Sequence, residues 1–319
     1  MSVLTEEVFT EAVTAATLAP SMHNTQPWPF RREGDAIEVY ADTDRALPVA
    51  DPHHRAVRIA CGAALLNLRL ALAVRGHQAT VRLLPIAGHS DMVARLTPAE
   101  PRPATPLEIE LHGAIPHRHS NRDPFLDSPV PVEHRHSLAR AAEAERCWLQ
   151  FTDDPAVLAR IATIVRAANR RITDNPAYRE ELAAWTSHDD ARRDGVPVAA
   201  GGPAPQAHEL LPRRDYGGPE RTGVRDYEPE PLLAILGAHG DLPSDQLRAG
   251  QALQRVLLTA TELGLSAQMM SQPVDDPEAR DELWQELPWN GSPQMLLRLG
   301  YGLPAVTSPR RPASDVILS

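Results

Sequence analysis

Apolar residues recur at helical spacing over residues 5–18, where Val8, Ala12, Ala15, Ala16 and Ala19 fall on related faces. The pattern predicts a helix that stops at Ala19-Pro20, because the residue before a proline is pushed out of the α region. A polar stretch follows, SMHNTQPWPF, and then a strand at 36–40. Residues 54–74 predict a long helix rich in Ala and Leu, ended by Gly76. Its small apolar surface predicts burial between other elements rather than one wet face. Strands are predicted at 80–84 and 92–96. Residues 98–106 hold four prolines and read as a linker.

A second series begins there. Helices are predicted at 107–115, 132–146 and 155–173, the last continuing over 177–185, with a strand at 147–151. From 188 to 231 the pattern collapses into Gly, Pro and charge. That is too long for an ordinary connection, so it is either a functional lid or disordered. Trp185, Tyr216 and Tyr227 lie in or beside it and could cover a ring. A long helix at 244–263 ends at Gly264. The strand LSAQMM follows, then a strand at 294–299 and a tail containing Arg310 and Arg311.

The two series match each other. An offset of 188 residues places Gly62, Ala64, Leu65, Leu70 and Gly76 on Gly250, Ala252, Leu253, Leu258 and Gly264. An offset of 203 places Met92, Arg95 and Leu96 on Met295, Arg298 and Leu299. The shared order, helix then strand, predicts a duplicated ancestor. The two long helices would then pack as the core of a pseudo-dimer.

With 319 residues, 42% of them hydrophobic and 23% charged, the chain reads as globular. Its formal charge of −10 argues against a general nucleic-acid binder. Cys61 and Cys147 make no disulfide framework and read as buried, reduced thiols. The first residues are acidic and amphipathic, unlike a signal peptide. The most apolar stretch, 59–74, is interrupted by Asn67 and Arg69, so no membrane span is expected. These readings together predict a cytoplasmic protein.

Glycine-rich phosphate loops and the nucleophile elbow are missing from the sequence. The loop APSMHNTQPW (19–28) gathers Ser21, His23, Asn24 and Gln26. Such donors and acceptors suit the edge of a planar heterocycle, though a plain polar loop has the same composition. PHRHSNRDPF (116–125) sets Arg118 and Arg122 around Ser120 and Asn121. This is either a compact anion site or a solvated basic turn. Arg310 and Arg311 form a weaker basic cluster. His117 with His119, and His134 with His136, are interrupted by arginines that would repel a cation, so no metal is expected. SAQMMSQPVDD (266–276) runs from a strand into a Gln-Pro loop with Ser271 and Gln272. Asp275 and Asp276 read as solvated turn residues.

Taken together, APSMHNTQPW and PHRHSNRDPF resemble the nitroreductase superfamily. The first is similar to the loop in which Ala-Pro-Ser, an Asn and Gln-Pro-Trp line the flavin. The second is similar to its Arg-rich phosphate segment. Here the two segments come in reversed order, and the chain is longer. This most resembles the duplicated, dormancy-associated Acg-type members.

The resemblance implies an α+β, nitroreductase-like fold of two fused halves, 1–105 and 106–319, with a lid at about 188–231. It implies one FMN per chain, held by Ser21, His23, Asn24 and Gln26 from one half. Arg118, Ser120, Arg122, Ser271, Gln272 and Arg310 or Arg311 would come from the other. It implies hydride transfer from NAD(P)H to a small-molecule acceptor such as a nitroaromatic or quinone. The protein itself supplies no general acid or base in this reading. A non-catalytic protein that sequesters FMN under the lid is the alternative, and a flavin-free structural protein a third reading. A monomeric pseudo-dimer is expected, with no nucleic-acid or membrane partner.

Overall fold

The computed structural model describes residues 4–86, 91–152, 154–189, 191–206, 209–219, 231–287 and 291–319. Thr5 starts α1 (Glu6–Thr17) by accepting the Val8 amide at 3.3 Å. A hairpin turns through Gly34, at φ 61°, between β1 (Phe30–Glu33) and β2 (Ala36–Tyr40). α2 (Arg55–Val74), β3 (Ala79–Leu83) and β4 (Met92–Pro98) follow. The strands form an antiparallel sheet in the order β1-β2-β4-β3. The sequence pattern missed β1, whose Arg31, Arg32 and Glu33 show none of the apolar alternation of a half-buried strand.

A capping box between Thr105 and Glu108 opens α3 (Pro106–Ala114). Next come α4 (Val132–Glu143), β5 (Cys147–Thr152), α5 (Pro155–Asp174) and α6 (Pro176–Ala184). The expected continuation of α5 into α6 is broken. Asn175 leaves the helical region, accepts the Ala177 amide at 3.0 Å and starts a new helix at Pro176. Short β6 (Thr186–Ser187) and β7 (Val196–Pro197) pair in parallel. Then come β8 (Leu232–Ala238), α7 (Pro243–Glu262), β9 (Ser266–Met270), α8 (Gln272–Asp275), α9 (Pro277–Gln285) and β10 (Ser292–Gly300). The second antiparallel sheet has the order β5-β8-β10-β9. β8 and α9 were not anticipated.

The two sheets repeat one connection. In each, a long helix leads from the second strand to an edge strand, and the next strand inserts between them. The helices α2 and α7 cross at Gly62 and Gly250. A Cβ on Gly62 would stand 2.2 Å from the Leu247 carbonyl oxygen, and one on Gly250 would stand 2.0 Å from that of Ile59. Only hydrogen fits at either place. Ile59 packs into the core of the second sheet and Leu247 into the core of the first.

By length and composition α2 could cross a membrane, but most of its surface is covered by protein, as in a core helix. The C-terminal tail returns to the first sheet. Phe30 donates to Val316 O and Leu318 donates to Phe30 O, both at 2.7 Å, so the tail pairs with the β1 edge. This return carries Arg310 and Arg311 to the loop after α1.

Candidate functional site

The loop after α1 holds three residues in the left-handed region, His23 at φ 48°, Asn24 at 56° and Gln26 at 53°. Such strain persists only where surroundings enforce it. Ser21 Oγ accepts the Gln26 amide at 2.9 Å. Asn24 Nδ2 donates to Gly195 O and Pro309 O, both at 2.9 Å, and its Oδ1 accepts from Arg310 at 3.0 Å. Gln26 donates to Arg193 O at 2.9 Å and accepts the Arg311 amide at 2.9 Å. The loop is therefore clamped between the central insertion and the tail.

The segment 116–125 is pinned beside β9. Asn121, fully buried, receives no solvent; its amide donates to Ala267 O at 3.0 Å and its Nδ2 to Leu303 O at 2.8 Å. Arg118, 7% exposed, points inward and reaches only Leu18 O, at 3.3 Å. Among the described residues its Nε and Nη1 have no partner, and neither has Nε of Arg310. Arg122 donates to Ala200 O at 2.6 Å. Among the described residues no carboxylate pairs with any of the three. Burial, with added repulsion from Arg310 and Arg122, pulls the Arg118 guanidinium down to about 9. Burial alone brings Arg310 down to about 10.

These segments line two neighbouring cavities, partly open to solvent, that share wall residues. One, with about 720 Å³ of unfilled space, is walled by Asn24, Arg118 and Arg310. The other, with about 760 Å³, is walled by His23, Ser271 and Gln272. Ser21, Ser120 and Arg122 line both. Gln26 and Arg311 line neither. Gln26 is spent on bonds to the insertion and the tail, and the Arg311 guanidinium turns to Asp315 O.

Three further wall residues escaped the sequence reading: Arg55 at the start of α2, Gln268 on β9 and Arg214 from the insertion. No local pattern marks them, since an arginine at a helix end or in a loop is ordinary. Asp275 corrects an expectation. It is no solvated turn residue, but lies 7% exposed between Arg55, at 2.6 Å, and Arg214, at 3.2 Å. Asp276 caps α9 and pairs with Arg171.

Arg214 and Tyr216 of the insertion line the second cavity. Arg214 donates to Tyr178 Oη at 2.9 Å and to Ser271 Oγ at 2.8 Å. Burial lowers its pKa, but Tyr178, Tyr216 and Asp275 outweigh that and leave it raised. Tyr216 is buried, lies under the Arg122 guanidinium and meets His23 Nδ1 at 3.1 Å. Burial, then Arg214 and Arg122, hold His23 well below the usual imidazole range. Trp185 lines neither cavity and instead stacks with Arg45 and Arg192. Tyr227 lies outside the described residues.

A protein of Mycobacterium tuberculosis provisionally named an NAD(P)H nitroreductase is 31% identical to this chain, over 98% of the chain and 91% of its own length. The chain belongs to the nitroreductase family. The Mycobacterium tuberculosis protein Acg, named in the same provisional way, is 27% identical over 99% of the chain and 96% of its own length. A solved Anabaena variabilis protein, also provisionally named a nitroreductase, superposes with a TM-score of 0.51. It covers 93% of this chain and 88% of its own at 12% identity, which shows a shared fold. No family model matches the chain.

Proposed function

We propose that the neighbouring cavities of this nitroreductase bind one FMN per chain, and that the chain is an NAD(P)H-dependent oxidoreductase acting on nitroaromatic, quinone or similar acceptors. The carrying observation is the trio Arg118, Arg122 and Arg310. Two buried guanidiniums with unpartnered N–H groups and no counter-anion are expensive, and a phosphate supplies both the charge and the acceptors. Ser21, Ser120, Ser271, Gln272 and Gln268 would orient the rest of the cofactor along the shared wall. When bound, the flavin supplies reversible hydride acceptance. Arg214 and Tyr216 exclude water above it.

The same reading takes residues 1–105 and 106–319 as fused copies of one ancestral unit, acting as a monomeric pseudo-dimer in the cytoplasm. The repeated strand order and the glycine crossing support it. The substrate is a small molecule, with no nucleic-acid or membrane partner.

A second reading, sequestration of FMN, is favoured by the way the insertion is fastened. Arg45 pairs with Asp194 and Arg214 with Asp275, and Arg213 donates to Arg122 O at 2.7 Å, all partly or fully buried. An insertion that stays shut would bar NAD(P)H from the ring. The visible spectrum of purified protein, taken anaerobically before and after NADPH, separates the two. Flavin bands that bleach support the oxidoreductase. Bands that bleach only with dithionite support sequestration, and colourless protein without FMN affinity defeats both.

A further inference from the structure

His23 is the buried titratable group that FMN binding leaves unexplained. Its ring is boxed by Tyr178, at a centroid distance of 6.4 Å, and by Tyr216, at 6.0 Å. The charged groups facing it are Arg214 and Arg122. One ring nitrogen, Nδ1, meets the Tyr216 hydroxyl at 3.1 Å. The other, Nε2, is buried, has no partner among the described residues and belongs to a side chain lining the second cavity.

The tautomer follows from counting hydrogens. Among the described residues the Tyr216 hydroxyl has no partner besides His23. If Nδ1 carried the proton, the buried phenol hydrogen would have no acceptor and Nε2 no donor, two unsatisfied groups where the other tautomer leaves one. With the phenol donating to Nδ1, the imidazole proton sits on Nε2, as a hydrogen-bond donor with nothing yet to bind. A buried donor without a partner, on a side chain that lines a cavity, points to an acceptor atom on a ligand.

We infer that His23 Nε2–H donates to, and protonates, the oxygen of the electron acceptor, and that Tyr216 of the insertion resupplies the proton through Nδ1. This rests on the oxidoreductase reading above. Reduction of a quinone to a hydroquinone takes two electrons and two protons. Hydride originating from NAD(P)H brings both electrons and one proton. The second proton leaves Nε2 as an O–H bond forms on the acceptor, while the Tyr216 proton moves to Nδ1. The imidazole stays neutral throughout, having exchanged one tautomer for the other. The cycle closes when Nε2 takes a proton from water and the Nδ1 proton returns to the phenolate, whose charge the Arg122 and Arg214 guanidiniums offset meanwhile. Tyr216 thus makes closure of the insertion part of the chemistry rather than a cover alone.

The test compares a quinone with ferricyanide, which accepts electrons without a proton, in FMN-loaded wild-type protein and in Tyr216→Phe and His23→Asn. Each variant should lower the quinone-to-ferricyanide rate ratio by about 10²-fold, the usual contribution of a positioned proton donor. A second readout uses no turnover. 15N spectra of the wild-type imidazole at neutral pH should show one neutral Nε2–H tautomer, and Tyr216→Phe should mix the two tautomers. An unchanged ratio in both variants, or an Nδ1–H tautomer in the wild type, overturns the relay alone. A flavin that NADPH cannot reduce overturns the oxidoreductase reading and the relay with it.

Discussion

Gly62 and Gly250 face each other across the α2–α7 crossing, so that a Cβ on Gly250 would come within 2.9 Å of the Gly62 Cα. Both positions abut backbone, which has no rotamer to yield. Gly250→Ala should therefore separate the helices and withdraw Ile59 and Leu247 from the two cores they bridge. We expect a loss of about 3 kcal/mol, at the upper end of overpacking costs. Urea unfolding measures it. A loss near zero would mean that the crossing is slack. Gly62→Ala should match Gly250→Ala within about 1 kcal/mol, since each added methyl meets the same kind of obstacle.

Arg118 carries a conflict between folding and binding. Its folded pKa, about 9, lies well below that of a free guanidinium in the unfolded chain. The unfolded chain then binds more protons between those values, so stability rises with pH through that window and the full penalty holds below about 9. Arg118→Met should stabilise the FMN-free chain at neutral pH by on the order of 1–2 kcal/mol and flatten the alkaline rise. It should also weaken FMN binding by at least about tenfold, the effect of losing one charge-assisted bond. Melting with and without FMN reads both. A variant that binds FMN as tightly as the wild type sinks the phosphate assignment.

Inorganic phosphate offers the same test without mutation. If the trio is an anion site, phosphate should raise the melting point of FMN-free protein in proportion to RT ln(1 + [L]/Kd), about 2.7 kcal/mol at a hundredfold excess over Kd. Chloride at equal ionic strength should not reproduce it. Equal responses to the two salts would indicate screening rather than a site.

The sequence disclosed the loop of Ser21 and Asn24 and the segment of Arg118 and Arg122, because each packs several polar residues into ten positions. It also matched Gly62 with Gly250, two residues that meet in space. β8 was hidden because its apolar run, LLAILGA, is buried along its length and has no alternation to read. Arg55, Arg214 and Gln268 were hidden for another reason. They lie 159 and 54 positions apart along the chain and converge only after both sheets and the insertion are assembled. Asp275 looked like a turn residue for the same cause, since its two arginines come from α2 and the insertion.

Asp275 ties the insertion to the body, and the two ways of breaking that tie should differ. Arg214→Gln leaves Asp275 with Arg55 at 2.6 Å, so the body keeps its buried pair. The effect should be local, seen as faster hydrogen exchange over 209–219 with little change in global stability. Asp275→Asn instead leaves two buried guanidiniums without an anion and should cost on the order of 3–5 kcal/mol. If the insertion gates a reactive flavin, Arg214→Gln should also speed the bleaching of FMN by NADPH. Faster exchange without faster bleaching would mean that the insertion opens but that the ring is not used, which favours sequestration. Equal destabilisation by the two substitutions would show instead that insertion and body unfold as one unit, and that Arg214 is a strut rather than a latch.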